Sequence, residues 1–142
     1  IFLSDSEFNR AIKKNKFIEY ANVFGFRYGT LKKTVTNFFK KNKDVLFDID
    51  WQGAEQLKKS SLSNIISIFI TPPSKEVIYH RLKLRAKSSG DDEDAIDKRM
   101  KKYETEMSHK NNYDYIIINE DLGKCVDEIE LIIKNSRKKL KN

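Results

Sequence analysis

The sequence predicts an α/β fold whose core is a parallel sheet covered by helices on both faces. Three observations predict it. The stretches "DVLFDID", "NIISIFIT" and "YDYIIIN" are short, nearly continuous apolar runs, as strands buried on both faces require. From residue 45 onward the expected order is strand, helix, strand, helix, loop, helix, strand, helix, and such alternation argues parallel pairing. The residues before that break the pattern with a helix, a lone strand and a turn, which reads as an inserted subdomain.

Each element has its own signal. "SDSEFNRAIKKN" places Ser4 three residues before Glu7, a capping-box pattern, and then Phe8, Ala11 and Ile12 on one face; a helix is expected over residues 5–14. "FIEYANVF" reads as a strand ending at Gly25, and "RYGT" as a turn. "LKKTVTNFFKKN" carries Leu31, Val35, Phe38 and Phe39 at helical spacing. "DVLFDID" is a strand, with a helix after Gly53. "NIISIFIT" is stopped by Pro72 and Pro73. "KEVIYHRLKLR" is helical, "AKSSGDDED" a polar loop, and "AIDKRMKKYETEMSH" helical again. "YDYIIIN" is a third buried strand, and residues 122–140 form a closing amphipathic helix.

Composition narrows the function classes. The 142 residues suffice for one domain with a core. No apolar run reaches the roughly 18 residues of a membrane span, and no signal-peptide pattern leads the chain. The chain begins with Ile1 rather than methionine, as a cropped view of a longer protein would. Cys125 is the only cysteine, so no disulfide framework exists and a reducing cytoplasm is expected. Its neighbours Val126 and Ile129 suggest a buried helical position. The net charge of +7 comes from scattered lysines, the one basic run being 137–141 at the chain end. The plain reading is a solvated surface and a fraying helix terminus; the sharper one is an anionic partner such as a nucleotide or, as the minor option, a nucleic acid.

Several residues could carry chemistry. Asp48 and Asp50 end an apolar strand and, by period-2 alternation, share a face. Two like charges there need a cationic partner, and the carboxyl ends of strands are where open α/β sheets bind ligands. Glu19 sits with Phe17, Ala21 and Val23 on one strand face. It is either salt-bridged to a nearby lysine or a two-acceptor clamp for adjacent N–H donors, which guanine has and adenine lacks. Tyr28 and Thr30 either punctuate a turn, with Thr30 as a helix cap, or bind a phosphate or base edge.

Arg81 and Arg85 are spaced i, i+4, and Arg99 follows across an acidic loop. They either pair with Asp92, Asp94 or Asp97, or form a lid that clamps phosphates. Asn119 ends a strand where a parallel sheet presents ligand groups. His80 and His109 have no metal-ligand spacing.

Taken together, "FIEYANVFG", "YGT", "VLFDIDWQGA", "IFITPPS", "RLKLR", "DKRM", "EMSH" and "YDYIIINEDL" resemble the guanylate kinase family, in order and over essentially the whole chain. The resemblance implies a P-loop NTPase-type parallel-sheet core with an inserted GMP-binding subdomain and a lid. It implies phosphoryl transfer from ATP to GMP with Mg²⁺, in the cytoplasm, with neither nucleic acid nor membrane as partner. By motif position, Glu19, Tyr28, Thr30 and Asp50 resemble the GMP-binding residues. Arg85, Arg99 and Asp48 resemble the catalytic ones, with Mg²⁺ near Asp48. Arg81 and Asn119 resemble ATP-binding residues.

The implied organisation is a partial GMP-binding subdomain with a linking helix at 1–41, core at 42–84, lid at 85–99 and core again at 100–142. The 142 residues contain no G-x-x-x-x-G-K-[ST] sequence. Phe26 and Arg27 stand where the family's usual Asn-Tyr precedes Tyr28. The alternative is a non-catalytic, guanylate-kinase-like protein-binding module.

Overall fold

A computed structural model describes residues 1–139 of the chain. The chain divides into two compact units, Ile1–Ile65 and Ile66–Asn142.

The first unit is built on a β-hairpin. Helix α1 (Asp5–Lys13) starts at Ser4 with both halves of the expected capping box. Glu7 N donates to Ser4 Oγ at 3.3 Å and Ser4 N donates to Glu7 Oε2 at 2.8 Å. The Ser4 hydroxyl, donating to Glu7 Oε2 at 2.7 Å, and then the Ser4 N–H hold the exposed Glu7 carboxyl below its usual range.

Strand β1 (Phe17–Val23) pairs antiparallel with β2 (Phe26–Leu31). The two-residue connection is Phe24–Gly25, with φ of 51° and 82°. Left-handed backbone at both positions matches the twist of the flanking strands. The expected turn at "RYGT" is therefore wrong: the chain has already reversed at Phe24–Gly25, and Arg27, Tyr28, Gly29 and Thr30 all lie in β2. Gly29 fits there because a β-carbon would stand 3.0 Å from the Phe17 ring and 3.1 Å from the Glu19 carbonyl. Thr30 is not a helix cap either, since α2 (Lys32–Phe39) begins after Leu31.

A bulge refines the strand faces. Phe17 lies opposite Leu31, and the next pair is Glu19 with Thr30, so Ile18 is the extra residue. The bulge moves Phe17 off the Glu19 face expected from strict alternation. Phe17 instead packs on Phe8 of α1, ring centroids 4.6 Å apart. Phe8, Ala11 and Phe17 form the core of this unit, with Ile12 and Leu31 against it. Val35 of α2 is 1% exposed.

The segment "DVLFDID" is not a strand. Val45, Phe47 and Ile49 are partly buried while Leu46 is 89% exposed. The alternation of a strand survives without a ladder, because no other segment among the described residues pairs with it. Helix α3 (Trp51–Lys58) then starts at Asp50, so Gly53 lies within its first turn rather than before it.

The second unit is the α/β part. Strand β3 (Ile68–Thr71) pairs parallel with β4 (Tyr115–Ile118), from Ile68 opposite Tyr115 to Thr71 opposite Ile118. The parallel pair and its covering helices agree with the expected fold class. Asp114 pins the pair at its start, accepting from Ser67 N at 2.7 Å and Ser67 Oγ at 2.6 Å. Ile117 is 1% exposed, and Phe69 packs edge-on against Tyr113.

Helix α4 (Lys75–Ser89) is capped by Ser74 and ends at Gly90, whose φ is 75°. It takes in Ala86 to Ser89, the first four residues of the expected polar loop, because they can stay helical until a left-handed glycine stops them. Helix α5 (Glu93–Ser108) starts directly at Asp92. Helix α6 (Leu122–Lys139) buries Cys125, as expected. Arg137, Lys138 and Lys139 occupy its last turn, where the helix dipole favours cations; residues 140 and 141 of the basic run lie outside the described residues. No described helix is long and apolar enough to cross a membrane.

Candidate functional site

In the first unit the hairpin register assembles a site face. Glu19 is directly opposite Thr30, and Ala21 is opposite Tyr28. Directly opposed residues share a face, so Glu19, Tyr28 and Thr30 point the same way. Tyr28 is 58% exposed and Thr30 partly buried, whereas Glu19 is only 3% exposed. Among the described residues no lysine or other donor engages the Glu19 carboxylate. A carboxylate on so buried a residue gains from any donor that reaches its oxygens.

The two aspartates separate. Asp48 is exposed, on a segment without a ladder. Asp50 is the N-cap of α3: its Oδ1 accepts from Gln52 N at 3.1 Å and Gly53 N at 3.3 Å. Its Oδ2 accepts from Gln52 Nε2 at 2.9 Å. The expected strand-end pair of like charges is thus relieved at Asp50 by helix-start N–H donors.

In the second unit Arg81 and Arg85 are exposed on α4. Arg81 Nη2 donates to the Asn119 carbonyl at 2.9 Å, so these two residues come together. Asn119 N also donates to Thr71 O at 2.7 Å, fixing the end of β4. Arg99, on α5, pairs with Asp91 at 3.4 Å in the α4–α5 connection. Of the carboxylates considered from sequence, Asp92 is the α5 N-cap instead, accepting from Ala95 N at 2.8 Å.

Among the described residues no group of three or more His, Cys, Asp or Glu side chains could hold a metal. Mg²⁺ bound through substrate phosphates needs only one or two carboxylates and keeps several waters. The exposed Asp48 is compatible with that mode.

A family profile described as Guanylate kinase matches residues 1–136. The chain belongs to the guanylate kinase family. A guanylate kinase from Rickettsia prowazekii is 46% identical over 138 residues, covering 97% of this chain and 68% of that protein. One from Bartonella henselae is 45% identical over 131 residues, covering 92% and 58%. The crystal structure of guanylate kinase from Anaplasma phagocytophilum superposes with a TM-score of 0.74 at 35% identity, covering 94% of this chain and 63% of that one. The chain thus spans 58% to 68% of these relatives' lengths. The likeness to that structure makes the fold the P-loop NTPase type of the guanylate kinases, a family of nucleotide-binding transferases.

Sequence reasoning missed residues that hold strand β1 in place. Gln56 Oε1 accepts from Tyr20 N at 3.1 Å while its Nε2 donates to Tyr20 O at 2.7 Å. Gln52 Nε2 reaches Asn22 O at 3.3 Å. The two glutamines, one helical turn apart, thus occupy the edge of β1 not taken by β2. Their i, i+4 spacing was the available signal, but only the fold shows which strand they face.

Arg27, noted in the sequence only as a departure, ties β2 to α1. It donates to Asn9 Oδ1 at 2.6 Å and to Asp5 Oδ1 at 2.7 Å, and lies 4.5 Å over the Phe8 ring.

Proposed function

We propose that the protein carrying these residues is an ATP:GMP phosphotransferase, converting ATP and GMP to ADP and GDP. The observation that supports this reading most is Glu19. The residue is buried, its carboxylate has no donor among the described residues, and it shares a face with Tyr28 and Thr30. Guanine offers two adjacent N–H donors to such a carboxylate, and adenine does not. Tyr28 would take the GMP phosphate through its exposed hydroxyl; Thr30 and Asp50 would help Glu19 read the base.

In the reaction a GMP phosphate oxygen attacks the γ-phosphorus of ATP. The bond to the β,γ-bridging oxygen breaks, and ADP departs with that electron pair. No covalent protein intermediate is needed, so catalysis is positioning plus charge stabilisation. Arg85 and Arg99 would neutralise the moving phosphoryl group, Arg99 exchanging Asp91 for it. Arg81 and Asn119 would contact ATP. Mg²⁺, when bound near Asp48, neutralises the β- and γ-phosphate oxygens. A lone buried cysteine suits a reducing compartment, and the cytoplasm is the compartment proposed for the enzyme.

The test is a coupled assay on the full-length protein with GMP, AMP and CMP as acceptors. GMP alone should turn over well. Glu19→Ala removes two charge-assisted contacts and should raise KM for GMP about a hundredfold, with KM for ATP unchanged. Equal loss for both nucleotides sinks the clamp role. GMP binding without turnover would favour the second reading, a binding module, which the lack of G-x-x-x-x-G-K-[ST] in these 142 residues raises. The 142 residues alone should show little activity, since that loop's N–H groups and lysine cradle ATP.

A further inference from the structure

We propose that Gln56 and Gly53 are positioning residues that set the depth and direction of the Glu19 carboxylate for base discrimination. The inference rests on the guanine-reading role of Glu19 given above.

Glu19 is carried by β1, and the residue that follows it is held from outside the sheet. Gln56 grips both polar groups of the Tyr20 backbone, as a neighbouring strand would. A side-chain amide presents a donor and an acceptor in one plane for this purpose, as an ionised carboxylate cannot. The Gln56 amide is itself oriented, because its Nε2 also donates to Gln52 O at 3.0 Å. The strand that carries Glu19 is therefore fixed to α3 at the adjacent peptide.

Gly53 sets the other limit. It lies in the first turn of α3 without a positive φ, so it is not there for backbone freedom. In a helix glycine is less favourable than alanine. A β-carbon at this position would stand 2.9 Å from Glu19 Oε2 and 3.1 Å from Ile49 Cβ. The Glu19 carboxylate thus uses the space that any other residue at 53 would fill.

The N–H of Gly53 and that of Gln52 are already taken by Asp50. Glu19 therefore lies beside the helix start without being satisfied by those two donors. Its oxygens stay available to a ligand, in a position set by a glycine floor and a glutamine tether.

Steady-state kinetics on the full-length protein tests this, with ATP and either GMP or inosine monophosphate, which lacks the 2-amino donor. Gln56→Ala and Gly53→Ala should each raise KM for GMP about tenfold, the scale expected for a sub-ångström to ångström misplacement. The preference for GMP over inosine monophosphate should fall, with kcat and KM for ATP held within about twofold. Gln56→Glu loses the donor to Tyr20 O and should behave like Gln56→Ala.

Variants with lower melting temperatures but unchanged KM for GMP and unchanged base preference would overturn the proposal. So would equal losses for GMP and ATP. Should Gly53→Ala fail to fold, Gln56→Ala decides. Glu19→Gln separates the two levels. If it leaves GMP affinity intact, the base-reading role itself fails. If it weakens GMP while Gln56→Ala and Gly53→Ala do not, only the positioning role fails.

Discussion

The two units hold their candidate residues in opposite ways. In Ile1–Ile65 the key group, Glu19, is buried in a hairpin and braced by α3. In Ile66–Asn142 the key groups are arginines on helix surfaces, with Arg81 on a backbone carbonyl and Arg99 on Asp91. Under the proposed function, the contrast follows from what each unit would have to do. Discriminating one base from another needs acceptors fixed to a fraction of an ångström, and burial supplies that. Stabilising charge that develops on a moving phosphoryl group needs cations that can arrive with it, and arginines on helix surfaces can exchange partners.

The largest expected effect breaks the comparison or upholds it directly. Arg99→Ala in the full-length protein should lower kcat about a thousandfold, the low end for an arginine serving phosphoryl transfer. KM for GMP should stay within about threefold, because the loss falls on the transition state. Stopped-flow or quenched single-turnover measurements separate the chemical step from binding. A variant that loses GMP affinity instead would mean that the arginine is a ground-state ligand like the residues of the first unit.

Next in size is the scaffold under Glu19. Phe17 is 7% exposed and stacked on Phe8. Phe17→Ala should destabilise the hairpin by about 3–5 kcal/mol, the range for truncating a buried aromatic. Urea denaturation reads the total, and amide exchange in β1 and β2 locates it. If the loss is below about 1 kcal/mol, the stack is dispensable and the bracing of Glu19 comes from α3 alone.

How much of this was legible in the sequence depends on which forces are local. The Ser4–Glu7 capping box, the apolar face of α1 and the continuous apolar strands β3 and β4 were readable, because each signal is contained within a few residues. Glu19 stood out because a charge on an apolar strand face has to be explained.

The misses are non-local. Phe24 gives no sign that it will adopt φ of 51°, so the reversal was placed at Tyr28 and Gly29 instead. The bulge at Ile18 depends on pairing with β2, so strict alternation put Phe17 on the wrong face. "DVLFDID" has strand chemistry, but a strand exists only where another segment completes the ladder. The aspartates looked alike in sequence, yet Asp50 is committed to a helix start and Asp48 is exposed. Gln52 and Gln56 carry no functional signature until β1 is seen beside them.

The smallest expected effect concerns how α4 is tied to α5. Lys75 Nζ donates to Glu104 Oε1, and both groups are exposed. The hydrogen bond and charge of Glu104 raise the Lys75 pKa, and the hydrogen bond and charge of Lys75 lower that of Glu104. A depressed carboxyl contributes stability above its unfolded pKa and loses it as pH falls through the folded value. A raised ammonium contributes below its unfolded pKa and loses it as pH rises through the folded value. The pair therefore acts fully between the ordinary carboxylate and lysine ranges and fades on either side. Glu104→Gln should lower the melting temperature slightly at neutral pH. The difference from the parent chain should close in strong acid, in strong alkali, and in about 1 M salt, where screening is nearly complete over a few ångströms. A difference that persists in acid and in salt would mean that the side chains hold the two helices by packing rather than by charge. The second unit would then be as firmly braced as the first, and the contrast between a fixed base reader and movable arginines would lose its structural basis.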